Sequence, residues 1–157
     1  MAEAKYPKTM AQLNQLIADI SQLQTNVQQT HWYMRGSEFF RLHPQMDDYN
    51  EELDEHLDEI AERLIALGGS PYSTTHEFIE HTGLPDEKVT WNQHTLPEYM
   101  QRLDDQFKYL ANQYQIGMEA SDEEKDFPTQ DMLNGFKETI DKYIWMISAY
   151  LGKGPLE

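Results

Sequence analysis

Two histidines and three carboxylates, His31, His43, Asp47, Asp58 and Glu62, lie within one stretch of the chain at spacings that helices could use. Imidazole and carboxylate without sulfur form a donor set suited to Fe(II), Mn(II) or Zn(II). His43 and Asp47 are four apart, as are Asp58 and Glu62, so each pair shares one helix face. Each pair alone is also what a solvated helix face carries. His31 follows Val27 by four residues, so it reads equally as a hydrogen-bonded core histidine. Like charges one turn apart repel, and a shared cation removes that cost. Geometry narrows the options. Asp47 and Asp58 are eleven residues apart, roughly 16 Å along a straight helix at about 1.5 Å per residue. No single metal centre can use both from one rod. His31 and His43 can converge across a turn between two helices, whereas Asp58 and Glu62 need another copy of the chain. An antiparallel two-fold contact would bring Asp58 and Glu62 of one copy toward His31, His43 and Asp47 of the other, and would make two such sites.

These residues need long helices to hold them. Leu13, Leu16, Ile17, Ile20, Leu23 and Val27 recur at helical spacing, which predicts a first helix over about residues 8–35, ended by Gly36, with Ser37 capping the next. Met46, Tyr49, Leu53, Leu57, Ile60, Leu64 and Leu67 form a second stripe, closed by Gly68 and Gly69. Pro44 inside it removes a backbone hydrogen bond and predicts a kink beside His43. Residues 68–94 are punctuated by Gly, Pro, Ser and Thr, with a short helical patch near Thr74 to His81. Thr95 caps a third long helix carrying Leu96, Tyr99, Met100, Leu103, Phe107, Leu110 and Tyr114. SDEEKDFPTQ interrupts the pattern, and Leu133, Phe136, Ile140, Ile144, Ile147 and Leu151 make the last stripe before Gly152. Four long helices with short outer connections and one long middle crossover describe an all-α, ferritin-like four-helix bundle, with a short helix in the crossover between the second and third long helices. Cytokine-like and purely structural bundles share these stripes. Bundles of this topology often hold two irons with Glu-x-x-His pairs, but the residues three before the histidines are Gln28, Phe40, Leu53, Ser73, Phe78 and Trp91. That intrasubunit site is therefore not available.

The length of 157 residues suits one domain spanning residues 1–157, with short tails at 1–8 and 152–157. Acids outnumber bases 28 to 12, giving a net charge of −16. Such a surface disfavours nucleic acid phosphates and suits cations, as cargo or as counterions. There is no cysteine, which excludes disulfides, thiolate metal sites and thiol peroxidase chemistry. The first residues lack the apolar core of a signal peptide and no run approaches a transmembrane length, so the expected compartment is the cytoplasm.

The ligand spacing resembles the Dps family of mini-ferritins: His, eleven residues, His, three, Asp, ten, Asp, three, Glu, with no gap from His31 to Glu62. The flanking text THWYMRG, FFRLHPQMDDY and LDEIAERLIALGGSP is similar too. SDEEKDFPTQDM and IDKYIWMISAYLG look like the end of the Dps-like peroxide resistance (Dpr) branch. The resemblance implies a hollow dodecamer with ferroxidase centres at its two-fold interfaces. His31, His43 and Asp47 would come from one subunit and Asp58 and Glu62 from its mate. Trp32 matches the family's aromatic beside the site, for radical quenching or interface packing. The implied reaction is oxidation of Fe(II), preferentially by hydrogen peroxide, with ferric mineral stored inside as protection against oxidative stress. Two irons can supply both electrons that peroxide takes, which avoids a one-electron step yielding hydroxyl radical. Zinc or manganese is expected at the same ligands as an alternative to iron.

Two further groups follow from the resemblance. Asp122, Glu123, Asp126 and Asp131 are candidates for an acidic three-fold pore; ordinary capping of the last helix by Asp126 or Thr129, with Pro128 in its first turn, is the alternative. Glu51, Glu52 and Glu55 are candidates for mineral nucleation, or simply a solvated face. His56, His76, His81 and His94 match no ligand pattern and are read as surface or structural. Competing functions are a DNA-binding nucleoid protein and a purely structural helical oligomer. With Lys5, Lys8 and Lys153 as the only tail lysines, no appreciable DNA binding is expected, and no membrane partner.

Overall fold

The computed structural model describes residues 3–157. Its elements are α1 (Pro7–Tyr33), α2 (Phe39–Ala66), α3 (Thr75–His81), α4 (Leu96–Glu123) and α5 (Phe127–Tyr150), with no strand among the described residues. The expected four long helices and the short crossover helix are all present. Side-chain contacts fix the directions. His31 meets His43 near the α1–α2 turn, while Asn14 reaches Ser70 beyond the far end of α2, so α1 and α2 are antiparallel. Gln12 meets Gln113 and Asn26 meets Gln106, so α4 also opposes α1. α5 returns along α4, bringing Ser148 to Asp104. Hence α2 and α4 run the same way, and the chain must cross the length of the bundle between them.

The crossover is fastened by polar side chains of α1. Asp19, fully buried, accepts from Thr82 Oγ1 (2.9 Å), the Gly83 amide (2.9 Å), Tyr109 Oη (3.1 Å) and Gln15 Nε2 (3.1 Å). Gln22 and Asn26 both donate to the Pro85 carbonyl, and Gln29 donates to that of Glu87. A buried carboxylate is tolerable here because neutral donors replace its hydration.

The helix ends follow local chemistry. Thr95 and Glu98 form a capping box at the start of α4. Gly68, at φ +88°, ends α2, with the Gly69 amide bonded back to Leu64 and that of Gly68 to Ile65. Lys125 takes the same left-handed position after α4. Other boundaries differ from expectation. α1 stops at Tyr33, before Gly36, and α2 begins after Glu38 with no side-chain cap, so Ser37 does not cap it. α2 continues as one helix through Pro44, which lies early enough in the element that the lost bond is near its end. α4 extends through Ser121, Asp122 and Glu123, absorbing part of the stretch read as a break.

The core holds Leu13, Leu16, Ile20, Leu53, Ile60, Leu103, Phe107, Leu110, Leu133 and Ile140, all essentially without solvent contact. The stripe on α2 runs Met46, Tyr49, Leu53, His56, Ile60, Leu64; Leu57 is only half-buried. His56 therefore takes a core position. Its ring stacks on Phe136 at 3.9 Å, its Nδ1 lies 2.7 Å from Tyr114 Oη and its Nε2 3.1 Å from Glu52. An ionised carboxylate only accepts, so Nε2 carries the proton and Nδ1 accepts from the tyrosine hydroxyl.

Burial pushes the His56 pKa down to about 4, despite the neighbouring carboxylate. The unfolded chain, with an ordinary histidine value near 6.5, takes up its proton first as pH falls. Stability is therefore full above about pH 6.5 and declines toward pH 4, by at most about 3 kcal/mol per chain. Thermal melts across that range should show the decline, and His56→Gln should flatten it; an unchanged slope in the variant would remove His56 as the cause.

Candidate metal centre

The turn between α1 and α2 brings His31 and His43 face to face. Their rings stack with centroids 3.6 Å apart and planes 13° from parallel, and Phe39 covers the other face of His43 at 4.6 Å. The backbone contacts are reciprocal. His31 Nδ1 donates to the His43 carbonyl at 2.7 Å, and His43 Nδ1 donates to the His31 carbonyl at 2.9 Å. The His31 carbonyl lies in the last turn of α1, where carbonyls have no partner within the helix. A carbonyl accepts only from N–H, so both Nδ1 atoms are protonated. In the neutral form of either ring the lone pair then lies on Nε2, the form a metal binds. His31 Nε2 lies 3.8 Å from Asp47 Oδ1, and the Asp47 side chain is mostly exposed. The spacing of His43 and Asp47 has thus put a carboxylate beside two aligned imidazoles.

Asp58 and Glu62 are exposed further along α2 and do not reach this cluster. Among the described residues, no three His, Asp or Glu side chains of one chain close tightly enough to hold a metal ion. This agrees with the limit that helix rise sets. The donors present fit a borderline-to-hard divalent cation, but a single copy leaves the set open. A concave face is lined by Gln28, Trp32 and Tyr33 of α1, Asn50 and Leu57 of α2 and Phe78 of α3. Trp32 is 66% exposed on it, and Leu57 also borders the hollow that contains Asp58.

The remaining acids divide by environment. Glu51 and Glu55 are exposed, whereas Glu52 is half-buried and bonded to His56, which sets it apart from its neighbours. Asp122, Glu123 and Asp131 are exposed, with Glu123 paired to Lys8. Asp126 is a correction. It is 1% exposed, caps α5 through the Thr129 amide, accepts from the Thr129 hydroxyl and pairs with Arg63 at 2.7 Å. The helix-cap alternative accounts for it, and it is not a free acid for a pore.

A family profile described as the ferritin-like domain matches residues 10–156. The chain is 46% identical to the DNA protection during starvation protein of Listeria monocytogenes over 92% of each sequence. Its fold matches the X-ray structure of Dps from Listeria monocytogenes with a TM-score of 0.93 and 45% identity, over 96% of this chain and 97% of that one. The chain belongs to the Dps family of ferritin-like proteins. Dps from Listeria innocua soaked with cobalt is similar too, with a TM-score of 0.93 and 44% identity over 96% of each chain. No helix among the described residues of this Dps chain is long and apolar enough to cross a membrane.

Sequence reasoning missed two features. The mutual backbone bonds of His31 and His43 depend on the chain turning back within five residues. His56 had a signal in the phase of Leu53, His56 and Ile60, which a stripe drawn through Leu57 obscured. The tautomer assignment is testable: ¹⁵N-resolved imidazole spectra of the metal-free protein should show Nδ1–H at both His31 and His43. Nε2–H signals there would remove the preformed lone pairs.

Proposed function

We propose that this Dps chain is the subunit of a hollow dodecamer that oxidises Fe(II), preferentially with hydrogen peroxide, and stores the ferric product inside. In this reading His31, His43 and Asp47 of one subunit, with Asp58 and Glu62 of its two-fold mate, bind the substrate iron. The carrying observation is the pair of stacked imidazoles whose Nδ1 atoms are both spent on backbone carbonyls, beside Asp47. A purely structural oligomer needs no such alignment of two Nε2 lone pairs. The concave face with exposed Trp32, the residue next to His31, gives the mate a surface to cover.

Each residue has a task within this reading. The histidines offer Fe(II) their Nε2 atoms, since both Nδ1 atoms are held by backbone carbonyls. The carboxylates favour the Fe(III) product. Zn(II) and Mn(II) would compete for the same donors. Exposed Asp122, Glu123 and Asp131 draw cations toward a pore, and exposed Glu51 and Glu55 offer sites for mineral growth.

The decisive experiment loads the protein with Fe(II) without oxygen, adds hydrogen peroxide and measures ferric iron that stays soluble and protein-bound. Wild type should retain many irons per shell, and a His31→Ala/Asp58→Ala variant should oxidise far more slowly and let iron precipitate. Equal, slow oxidation in both would overturn the assignment and favour the structural oligomer.

The relatives' name raises DNA as a partner, but the charge of −16 per chain opposes it. Gel-shift assays at low and moderate salt should show no retained complex at moderate salt. A complex that survives there would restore the nucleoid reading.

A further inference from the structure

The bundle core contains a hydrogen-bonded line that the iron ligands do not use. Tyr114 on α4 is fully buried and donates its hydroxyl to His56 Nδ1 at 2.7 Å; His56 Nε2–H in turn faces Glu52 at 3.1 Å. Glu52 is half-buried and stands at the edge of the acidic face of α2. A phenol, an imidazole and a carboxylate thus run in order from the centre of the bundle outward. Packing requires none of them, since an apolar trio of similar volume would fill the space without desolvating three polar groups.

Burial drives the Tyr114 phenol well above its usual range, so it does not ionise as an acid at any physiological pH. The event that makes a phenol release its proton under such conditions is loss of an electron, because the phenol radical cation is a strong acid. A base already in hydrogen-bond contact lowers the cost by taking the proton as the electron leaves. The surroundings also suit electron movement. Phe136 stacks on His56 at 3.9 Å and lies 6.0 Å from Tyr114. Elsewhere in the core Tyr49 and Tyr143 are 4.7 Å apart, with Phe107 against both. Burial raises the pKa of both Tyr114 and Tyr143, and the charge of Glu52 adds to the rise at each. Tyr143 also feels Asp48 and Glu55 on the acidic face.

We propose that Tyr114 is a redox-active tyrosine, a one-electron donor whose proton passes to His56 Nδ1 while Glu52 balances the resulting imidazolium. The step is complete as written. Tyr114 loses one electron and its hydroxyl proton and becomes a neutral tyrosyl radical. His56 gains that proton and keeps the one on Nε2. The electron goes to a one-electron oxidant, of which hydroxyl radical is the relevant class; with a solvent proton it becomes water. Such an oxidant forms wherever Fe(II) meets peroxide one electron at a time. That source rests on the iron reading above, whereas the triad itself does not.

The test separates the two. In iron-free protein, flash-generated ruthenium(III) tris-bipyridine serves as the oxidant, followed by transient absorption and by EPR of frozen samples. Wild type should give a long-lived neutral tyrosyl signal, and high-field EPR with deuterium exchange should show one exchangeable proton hydrogen-bonded to the phenoxyl oxygen. Tyr114→Phe should lose that component and leave only the short-lived signal of exposed tyrosines. Glu52→Gln, at the outer end of the line, should lower its yield. A wild-type radical without the exchangeable hydrogen bond overturns the proposal, even if Tyr114→Phe fails to fold. So does an unchanged signal in a folded Tyr114→Phe. A second arm replaces the flash with Fe(II) and hydrogen peroxide, quenched by freezing. The same signal there supports iron chemistry as the source of the oxidant. Its absence, with the flash signal present, overturns that source while the redox role of Tyr114 stands.

Discussion

α2 crosses the whole bundle without a break, and α4 starts again from the end where α2 began. Most of the architecture depends on this constraint. Two parallel helices cannot be joined by a tight turn, so residues between them must climb the outside of the fold. They climb along α1, because Asp19, Gln22, Asn26 and Gln29 supply the hydrogen-bond partners that an irregular backbone needs there. α3 rides on the same side of the bundle. The outward acids of α2, from Asp47 through Asp58 to Glu62, are left uncovered.

An uncovered acidic helix face is costly in isolation, since its charges repel along one rod. The fold places that face beside the two histidines at the α1–α2 turn. Their reciprocal backbone bonds serve two ends at once. They satisfy a carbonyl in the last turn of α1, and they fix both rings in one tautomer. Folding thereby holds the two imidazoles in one geometry, which in the proposed reading lowers the ordering cost of binding a cation. Within one chain, helix rise keeps Asp58 and Glu62 far from Asp47. In the proposed reading, a second copy supplies the carboxylates that one chain cannot bring together.

Polar groups inside the bundle are placed with equal economy. Asp19 and Asp126 are both buried carboxylates, yet one is held by neutral donors and the other by Arg63 and the start of α5. Tyr114 and His56 occupy the middle of the bundle, with Glu52 at its edge, and the Glu-x-x-His pattern of other ferritin-like bundles is missing from this sequence. The core there is polar without a metal-binding motif, and its hydrogen bonds run from one side chain to the next.

How much of this was legible in the residues follows from what kind of interaction carries each feature. The four long helices were, because apolar spacing, the Thr95 capping box and the paired glycines after Leu67 are local signals read over a few turns. The meeting of His31, His43 and Asp47 was, because spacing on helices limits which of the candidates can converge within one chain. Other features were decided only by the packed chain. Ser37 does not cap α2 because the turn enters through Glu38. Asp126 serves the fold because Arg63, more than sixty residues away, reaches it. His56 is a core residue because the bundle selects which of two adjacent positions, 56 or 57, points inward. Sequence spacing fixes relations along one helix; which faces meet, and which protons are already spent on a neighbour's carbonyl, depends on contacts between helices that are distant in the chain.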